Sequence, residues 1–285
     1  MTIRRLKRRD PAYPPLLAAI HDPPPVLWLR GDADPGLLSL PSVAIVGARA
    51  CSGYGRAVAR AVGRELAAAG LVVVSGMARG IDAEAHRGAL EAGGLTVAVL
   101  GCGADRDYPA AHAELARRIC ERGLVVSEYE VGVEPAPWRF PARNRIIAGL
   151  CSATVVVEAR ARSGALITAD FALEDGREVM VVPGEITSAL SEGTNALLRL
   201  GATPLTRAAD VLETYGLAAV VEVEAEPEGD AAAVLEKLRA TAASIDELAR
   251  ATGLSSGDVA AALIELELSG WVSEADGVYR STIVR

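Results

Sequence analysis

The chain has 285 residues, a length that fits two domains with one large core among them. Its composition is 51% apolar, which excludes a disordered chain, and its formal net charge of −8 argues at first against a polyanionic partner. No apolar run reaches the roughly 18–20 residues of a membrane helix, and the basic N-terminus lacks the apolar segment of a secretory signal. We therefore expect a cytoplasmic protein that makes no membrane contact.

The acidic residues are concentrated near the C-terminus. Residues 1–40 carry six basic and four acidic side chains, residues 41–216 carry 18 and 20, and residues 217–285 carry five and 13. The central part is therefore nearly neutral, and binding of a polyanion there depends on local clusters rather than on the total charge. The four cysteines and three histidines show neither a CxxC pair nor metal-ligand spacing, so we expect free thiols, no metal site and no cofactor.

The first 40 residues form a proline-rich lead-in, for which we predict a short helix near Tyr13–Ala19 and an edge strand at Val26–Leu29. From Ser42 onwards, β-branched runs alternate with Ala- and Leu-rich stretches of helical periodicity. Continuous apolar runs are typical of strands covered on both faces, so residues 41–216 are predicted to form an extended Rossmann-like, doubly wound α/β domain with a mainly parallel sheet. The predicted strands are Val43–Val46, Leu71–Ser75, Thr96–Leu100, Val125–Ser127, Thr154–Glu158, Glu178–Val182 and Thr203–Leu205.

Helices are predicted between these strands, and several end at a glycine that can take the left-handed cap conformation. The predicted helices are Gly55–Ala69, Ile81–Ala92, Ala111–Arg122, Ala165–Glu174 and Thr194–Leu200, and the capping glycines are Gly70, Gly93, Gly123 and Gly176.

An acidic linker is predicted at residues 217–229, followed by a small winged-helix domain at residues 230–285. Three helices and a hairpin with an Asp276-Gly277 turn indicate this fold. They are predicted at Ala231–Arg239, Ile245–Ala251 and Asp258–Leu268, with Ser244 and Ser255 or Ser256 as N-caps, Gly253 in a turn, Gly270 as the last cap, and strands at Trp271–Ser273 and Val278–Arg280.

Small-residue loops follow several of the predicted strands. In an open parallel sheet, ligands bind beyond the carboxyl ends of the strands, where helix N-termini offer free N–H groups. One glycine after a strand is weak evidence, but Arg49 and Arg79 stand in two of these loops, where a phosphate could meet N–H groups and a guanidinium together. The loops are Gly47-Ala48-Arg49, Ser75 to Gly80, Ser163-Gly164-Ala165, and Pro183-Gly184 with Gly193-Thr194-Asn195.

The segment Trp138–Leu150 combines arginines with aromatic residues and contains no acidic residue. Its arginines are Arg139, Arg143 and Arg145, and its aromatic residues are Trp138 and Phe140. Single-strand binders combine aromatic faces for bases with cations for phosphates. An equally weighted alternative is a helix N-terminus whose arginines pair with surface carboxylates.

The alternative function is hydrolysis of a nucleotide or nucleoside phosphate by an enzyme on a related sheet. Such an enzyme would require a general acid/base pair near a phosphate-binding loop. The candidates are Glu158, Asp82, Glu84 and His86, and the spacing of Asp82 and His86 places them on one helical face. A structural hydrogen bond is the preferred explanation of that pair. The chain lacks a GxxxxGK[ST] motif, a GxGxxG motif after the first strand of the alternating region, and an acidic residue at the end of the second.

Several longer motifs resemble the DprA/Smf family. They are VAIVGAR (43–49), SGMARGIDAEAH (75–86), FPARNRIIAGL (140–150), VVVEARARSGALITA (155–169), VPG (182–184) and GTNALLRLGA (193–202). The resemblance implies a non-enzymatic protein that binds single-stranded DNA without a cofactor, forms a homodimer through its Rossmann-like domain, and assists loading of the RecA recombinase in natural transformation and recombination.

The resemblance also implies which residues contact DNA. On the matching positions these are Arg49, Ser75, Gly76, Arg79, Arg143, Asn144 and Arg145, with Ser163, Gly164 and Thr168 as further candidates, and the loop and aromatic arguments add Gly47, Arg139 and Phe140. We expect Arg143→Glu or Arg145→Glu to weaken binding without unfolding the protein.

The predicted winged-helix domain lacks the positive charge expected of a DNA-binding domain. From Asp230 onwards the chain has nine acidic and five basic residues, and the predicted recognition helix Asp258–Leu268 has three acidic residues and no basic one. Phosphates repel such a helix. We therefore expect this domain to contact protein or to regulate binding.

Overall fold

The structure is a computed structural model that describes residues 2–217, 227–269, 271–275 and 277–281. The chain divides into two compact units between residues 219 and 220. Most of the predicted linker, together with Gly270 and Asp276, lies outside the described residues. Within the described ranges, no helix combines the length and the apolar character needed to cross a membrane.

The first unit contains one nine-stranded sheet. Its strands are β1 (Ile3–Lys7), β2 (Val26–Arg30), β3 (Ser42–Val46), β4 (Val72–Ser75), β5 (Thr96–Val99), β6 (Leu124–Ser127), β7 (Ala153–Val156), β8 (Glu178–Val181) and β9 (Thr203–Pro204). Their order in the sheet is β1-β2-β6-β5-β4-β3-β7-β8-β9. The seven neighbouring strands β6, β5, β4, β3, β7, β8 and β9 are parallel to one another, whereas β2 is antiparallel to both β6 and β1. The predicted mainly parallel sheet is confirmed.

Helices cover both faces of this sheet, as the apolar strands require. They are α1 (Pro15–Ala18), α2 (Gly53–Ala68), α3 (Ile81–Glu91), α4 (Ala113–Arg122), α5 (Arg139–Gly149), α6 (Gly164–Glu174), α7 (Glu192–Arg199) and α8 (Ala208–Thr214). Val43 and Ile45 of β3 pack with α2, α3 and α8, while Ala44 and Val46 pack with α1, α5, α6 and α7. The alternation along β3 therefore supplies both cores of a doubly wound fold.

The structure differs from the predictions for the lead-in and for one cap. The strand β2 is not at the edge, because β1, which the sequence analysis did not predict, pairs with it on the outer side. The lead-in therefore extends the main sheet. Gly123 ends α4 at φ −142° rather than in the left-handed region; a Cβ there would overlap the Thr96 carbonyl, so close approach of the two backbones explains this glycine.

The second unit has the predicted winged-helix elements. They are α9 (Gly229–Ala240), α10 (Ile245–Thr252), α11 (Ser256–Leu268), β10 (Val272–Ala275) and β11 (Val278–Ser281), the two strands forming an antiparallel hairpin. Ser244 and Glu247 form a capping box at α10, and Ser255 caps α11. Leu248, Leu263 and Trp271 lie in a core that belongs to this unit alone.

Candidate functional site

The carboxyl ends of β3 to β7 meet at one edge of the sheet, which we call the rim, because these strands are parallel. The loops after β3 and β4 pack closely there. A Cβ on Gly47 would lie 2.6 Å from Ile81 Cγ1, and Gly80, with φ +78°, lies against the backbone of Ala48 and Arg49. The Ile81 N–H also donates a hydrogen bond to the Ala48 carbonyl at 3.3 Å. Small residues thus let two βα turns meet.

Two cavities of ≈ 200 Å³ and ≈ 390 Å³ open at the rim, and we call them together the trough. Arg49, Ala78, Phe140 and Arg143 line both cavities, so the two adjoin. The remaining predicted residues that line the trough are Gly47, Asn144, Ser163, Gly164 and Thr168 in the smaller cavity and Arg79 in the larger one. The structure therefore brings together residues from four separate parts of the chain.

Two arginines of the trough present their charge to solvent. Arg49 and Arg79 are exposed, and neither takes part in an ion pair within the part of the chain that the structure describes. The guanidinium carbon of Arg49 lies 5.5 Å from the ring centre of Phe140, in a cation–π contact. The trough thus offers two cations beside an aromatic face.

Arg143 supports the trough from inside the protein. Only 5% of Arg143 is exposed; its guanidinium donates to the Val99 carbonyl and, through Nε, to Asn144 Oδ1 at 3.2 Å. Nη2 lies 3.9 Å from Oδ2 of Asp82, which is itself 6% exposed. Burial lowers the pKa of Arg143 and raises the pKa of Asp82, and the attraction between the two opposes both shifts. Arg143 therefore lines the trough as a buried side chain whose guanidinium is already bonded to protein groups.

Arg145 pairs with carboxylates, which is the alternative to DNA binding that the sequence analysis gave for this arginine-rich segment. Its Nη1 and Nη2 donate to the two carboxylate oxygens of Glu128 at 2.7 and 2.6 Å, and Nε donates to the Asp22 carbonyl at 2.9 Å. The bond to Glu128 raises the pKa of Arg145. Arg145 thus already has protein partners, and the DNA contact expected of it stays a prediction.

Arg139 lies beside the trough but does not line it. Its guanidinium carbon is 4.9 Å from the ring centres of both Tyr129 and Trp138, and its Nη1 donates to the Glu134 carbonyl. Arg139 is therefore held over two aromatic rings outside the trough, and its predicted DNA contact stays a prediction.

Two further predicted contacts are structural. Ser75 is fully buried, and its hydroxyl donates to the Ile45 carbonyl at 2.5 Å. A Cβ on Gly76 would overlap the guanidinium of Arg143 and the carboxylate of Asp82. Neither residue lines the trough; Ser75 joins two strands, and Gly76 leaves room for the buried ion pair.

Tyr108 is a trough residue that the sequence analysis missed. Its ring stacks on Phe140 with ring centres 5.3 Å apart and an interplanar angle of 24°, and 43% of Tyr108 remains exposed. The same Phe140 ring approaches Gly101, where a Cβ would lie 3.0 Å from Cδ1. An aromatic residue in the loop that follows β5 was the available signal, because that loop leaves the sheet at the rim.

The candidates for hydrolytic chemistry have other roles. Glu158 accepts hydrogen bonds from the Ser52 N–H at 2.9 Å and from the Ser52 hydroxyl at 2.5 Å, so its carboxylate lies at the N-terminus of α2. A nucleotide phosphate binds at this first helix N-terminus in Rossmann enzymes. Here a carboxylate occupies the position and would repel it.

His86 does not have the surroundings of an acid/base catalyst. The ring is fully buried, with Nδ1 2.6 Å from Thr96 Oγ1 and Nε2 2.7 Å from the Gly76 carbonyl, and burial lowers its pKa to about 4. In a neutral ring Nε2–H donates to the Gly76 carbonyl, and the Thr96 hydroxyl, which also lies 2.7 Å from the Val73 carbonyl, gives its one proton either to that carbonyl or to Nδ1. Among the residues with described positions, no cluster of three His, Cys, Asp or Glu side chains could hold a metal.

Comparisons with known proteins agree with this architecture. The family model of DNA recombination-mediator protein A matches residues 4–216, and that of the DprA winged helix domain matches residues 221–277. The DNA processing protein DprA of Streptococcus pneumoniae is 47% identical over 206 residues, which are 72% of each chain.

Two solved structures are similar to this fold. The X-ray structure of DprA from S. pneumoniae superposes with a TM-score of 0.71 at 45% identity, covering 75% of this chain and 74% of that one. The Helicobacter pylori DNA processing protein A, described for its single-stranded DNA binding mode, superposes with a TM-score of 0.68 at 30% identity, covering 75% of this chain and 96% of that one. The chain therefore belongs to the DprA/Smf family of DNA recombination-mediator proteins.

Proposed function

We propose that this protein binds single-stranded DNA in the trough, with phosphates at Arg49 and Arg79 and a base against the aromatic face formed by Phe140 and Tyr108. The observation that carries the proposal is the meeting, at one rim, of an aromatic stack with two exposed guanidiniums that form no ion pair within the described residues. Single-strand binders use this combination, because every base has a π face and every nucleotide has a phosphate.

The trough favours a single strand over a duplex. Bases of a duplex are stacked on one another and cannot reach Phe140 without being unstacked, whereas a single strand exposes them. Phosphate contacts position the strand but carry little sequence information, so we expect tolerance of sequence. The DNA-binding mode described for the H. pylori relative supports the same class of ligand.

The protein acts by holding DNA rather than by catalysis. Glu158 is bonded to Ser52, the N-cap of α2, and His86 is buried and neutral, so the hydrolase alternative lacks its acid/base pair. Family membership supports the finer roles: the protein protects single strands, assists loading of RecA in natural transformation and recombination, and forms a homodimer through the Rossmann-like domain. A strand held by its phosphates leaves most bases accessible to a recombinase, which is consistent with such a transfer.

Fluorescence anisotropy with labelled dT20 and a duplex of the same length tests the proposal. The variant is Arg49→Glu/Arg79→Glu, and the control is Arg118→Glu/Arg122→Glu, which makes the same charge change on α4 near the opposite edge of the sheet. Each lost phosphate contact on a single strand removes about 0.7 from the slope of log K against log salt. The double variant should therefore lose about 1.4 in slope and roughly 25-fold in affinity at 0.1 M salt.

Two outcomes count against the proposal. Unchanged affinity of a folded Arg49→Glu/Arg79→Glu variant would remove the DNA from the trough. Conversely, release of product from a nucleoside phosphate by the wild type, lost in Glu158→Gln, would favour the hydrolase, since a cap residue has no part in turnover.

A further inference from the structure

A second set of exposed cations lies on the same edge of the sheet as the rim, beyond β6 and β2. Lys7 at the end of β1 pairs with Val26 at the start of β2, and Trp28 of β2 pairs with Ser127 at the end of β6. Both pairings are antiparallel, so the end of β1 lies at the same edge of the sheet as the carboxyl end of β6. The trough opens at that edge, next to the ends of β3, β4 and β5.

We call Lys7, Arg8 and Arg9 the basic turn. All three are exposed, and none forms an ion pair among the residues with described positions. The backbone of the turn is fixed, because the Arg8 N–H donates to the Pro25 carbonyl at 3.0 Å and the Lys7 N–H donates to Asp10 Oδ2 at 2.7 Å. Three cations are therefore presented from an ordered backbone.

Arg145 connects the region of the basic turn to the helix beside the trough. From α5 it binds the carboxylate of Glu128, which follows β6, and lies 3.2 Å from a carboxylate oxygen of Asp22, which precedes β2. The hydroxyl of Tyr13, in the loop between β1 and α1, donates to the Pro24 carbonyl, just before β2, at 2.7 Å. The role of Arg145 is thus to position the N-terminal strands against the rim.

An aromatic surface lies between the trough and the basic turn. Trp138 is 63% exposed and meets Tyr129 edge to face with ring centres 6.3 Å apart, while Arg139 is held over both rings. Trp138 and Arg139 directly precede Phe140 of the trough in the chain. A strand leaving the trough over Phe140 would meet the face of Trp138 next.

The charges along this middle part disfavour phosphates but not bases. Three carboxylates are already paired: Glu128 with Arg145 at 2.6 Å, Asp107 with Arg30 at 2.6 Å and Glu134 with Arg106 at 2.7 Å. Asp105 accepts a hydrogen bond from the Gly132 N–H at 3.0 Å, and Glu130 is an exposed carboxylate. Arg139, the cation of this middle part, is already held over Tyr129 and Trp138 and donates to the Glu134 carbonyl. The middle part therefore suits stacking, and the next exposed cations without an ion pair among the described residues are those of the basic turn.

We infer that the basic turn is a second phosphate-binding site for the same DNA strand, reached across Trp138. Strands are spaced by about 4.8 Å, so the five steps from β3 to β1 span roughly 24 Å. At 3.4 Å per stacked nucleotide this distance corresponds to roughly seven nucleotides. The inference rests on the proposed function of the trough and extends it: short strands fill the trough, and longer ones also reach the basic turn.

Binding of labelled dT6 and dT20 to the full chain tests the inference. The variant Arg8→Glu/Arg9→Glu should lose about 25-fold in affinity for dT20 at 0.1 M salt and about 1.4 in salt slope, with no change for dT6. Arg49→Glu/Arg79→Glu should weaken both, and the control Arg118→Glu/Arg122→Glu should weaken neither. Trp138→Ala should weaken binding of dT20 by about five- to 150-fold, with Trp138→Phe close to wild type. An abasic oligonucleotide should not distinguish the two variants.

The possible results separate the two claims. Wild-type affinity and salt slope of Arg8→Glu/Arg9→Glu for dT20 would overturn the inference while leaving the trough intact. An equal loss for dT6 and dT20 would also overturn it, because the charges would then act on the trough itself. If Arg49→Glu/Arg79→Glu binds both strands normally, the proposed function fails, whatever the basic turn does. Thermal unfolding of each variant confirms that it is folded.

Discussion

Arg143 and Arg79 both line the trough, yet the structure predicts opposite consequences for their substitution. Arg79 is exposed and without an ion pair in the described part of the chain, so Arg79→Glu should change the free energy of unfolding by no more than about 0.5 kcal/mol. Arg143 is 5% exposed and faces the buried Asp82. Arg143→Glu would place a second carboxylate beside Asp82, which contradicts the expectation that this variant keeps its fold.

The magnitude follows from the buried contacts. Removing one partner of a buried ion pair costs about 3–5 kcal/mol, because the other charge is left without compensation. The Val99 carbonyl also loses its guanidinium donor. Against a total stability of about 5–15 kcal/mol for a domain, this loss is large enough to leave part of the protein unfolded at physiological temperature.

Urea denaturation followed by circular dichroism measures this cost. With a slope near 3 kcal/mol per molar urea, a loss of about 3–5 kcal/mol lowers the midpoint by roughly 1–1.7 M. The matched control is Arg79→Glu, whose midpoint should stay within roughly 0.2 M of wild type.

The double variant Arg143→Met/Asp82→Asn makes the reasoning refutable. Replacing both members of a buried pair removes both desolvation costs, so its midpoint should lie well above that of Arg143→Glu. A wild-type midpoint for Arg143→Glu would show that Arg143 contributes nothing to the fold, and the distinction between supporting and binding arginines would fail.

Two further predictions concern pH and the second unit. Burial lowers the pKa of His86 from 6.5 to about 4, so its contribution to stability is fully present above pH 6.5 and is lost as the pH falls towards 4. The loss of stability should be about 2 kcal/mol at pH 5 and about 3 kcal/mol below pH 4. The difference between the urea midpoints at pH 7.5 and pH 5 should therefore be smaller in His86→Gln than in the wild type. An equal difference in both proteins would contradict the assignment to His86. Deletion of residues 221–285 should leave the affinity for dT20 within about twofold of wild type. The reason is that the carboxylates of α11, at Asp258, Glu265 and Glu267, repel phosphates. A loss of most of the affinity in the folded shorter chain would show that this unit binds DNA.

The sequence predicted the central sheet well because its strands are buried on both faces. Apolar runs such as Val43–Val46 leave little doubt about a covered parallel strand, and the structure extends that run by one residue. The strand β1 was missed because an edge strand needs to bury little. Leu6 is its one buried residue, and all five of the other residues from Arg4 to Arg9 are basic and exposed or half-buried. A charged stretch of this kind carries almost no periodic signal.

The loops of the trough were also predictable, whereas the roles of its arginines were not. The position of a loop after a parallel strand fixes its place at the rim, and Arg49 and Arg79 lie there as expected. Arg145, by contrast, binds Asp22, 123 residues away in the chain, and Glu128, 17 residues away. Nothing local distinguishes Arg143, Arg145 and Arg79, because only the folded chain decides which arginine meets a carboxylate.

On the proposed function, the buried pair explains how a site with few exposed charges holds a flexible polymer. The loop after β4 carries Arg79, and Gly76 in the same loop leaves room for Arg143 and Asp82 beneath it. A loop supported in this way presents its exposed cation from a fixed backbone, so less conformational entropy is lost when a phosphate binds. A cation on an unsupported loop would lose more of its affinity to ordering. On the proposed function, the buried arginine contributes to binding through the loop that it supports, and the exposed arginines contribute through phosphate contacts.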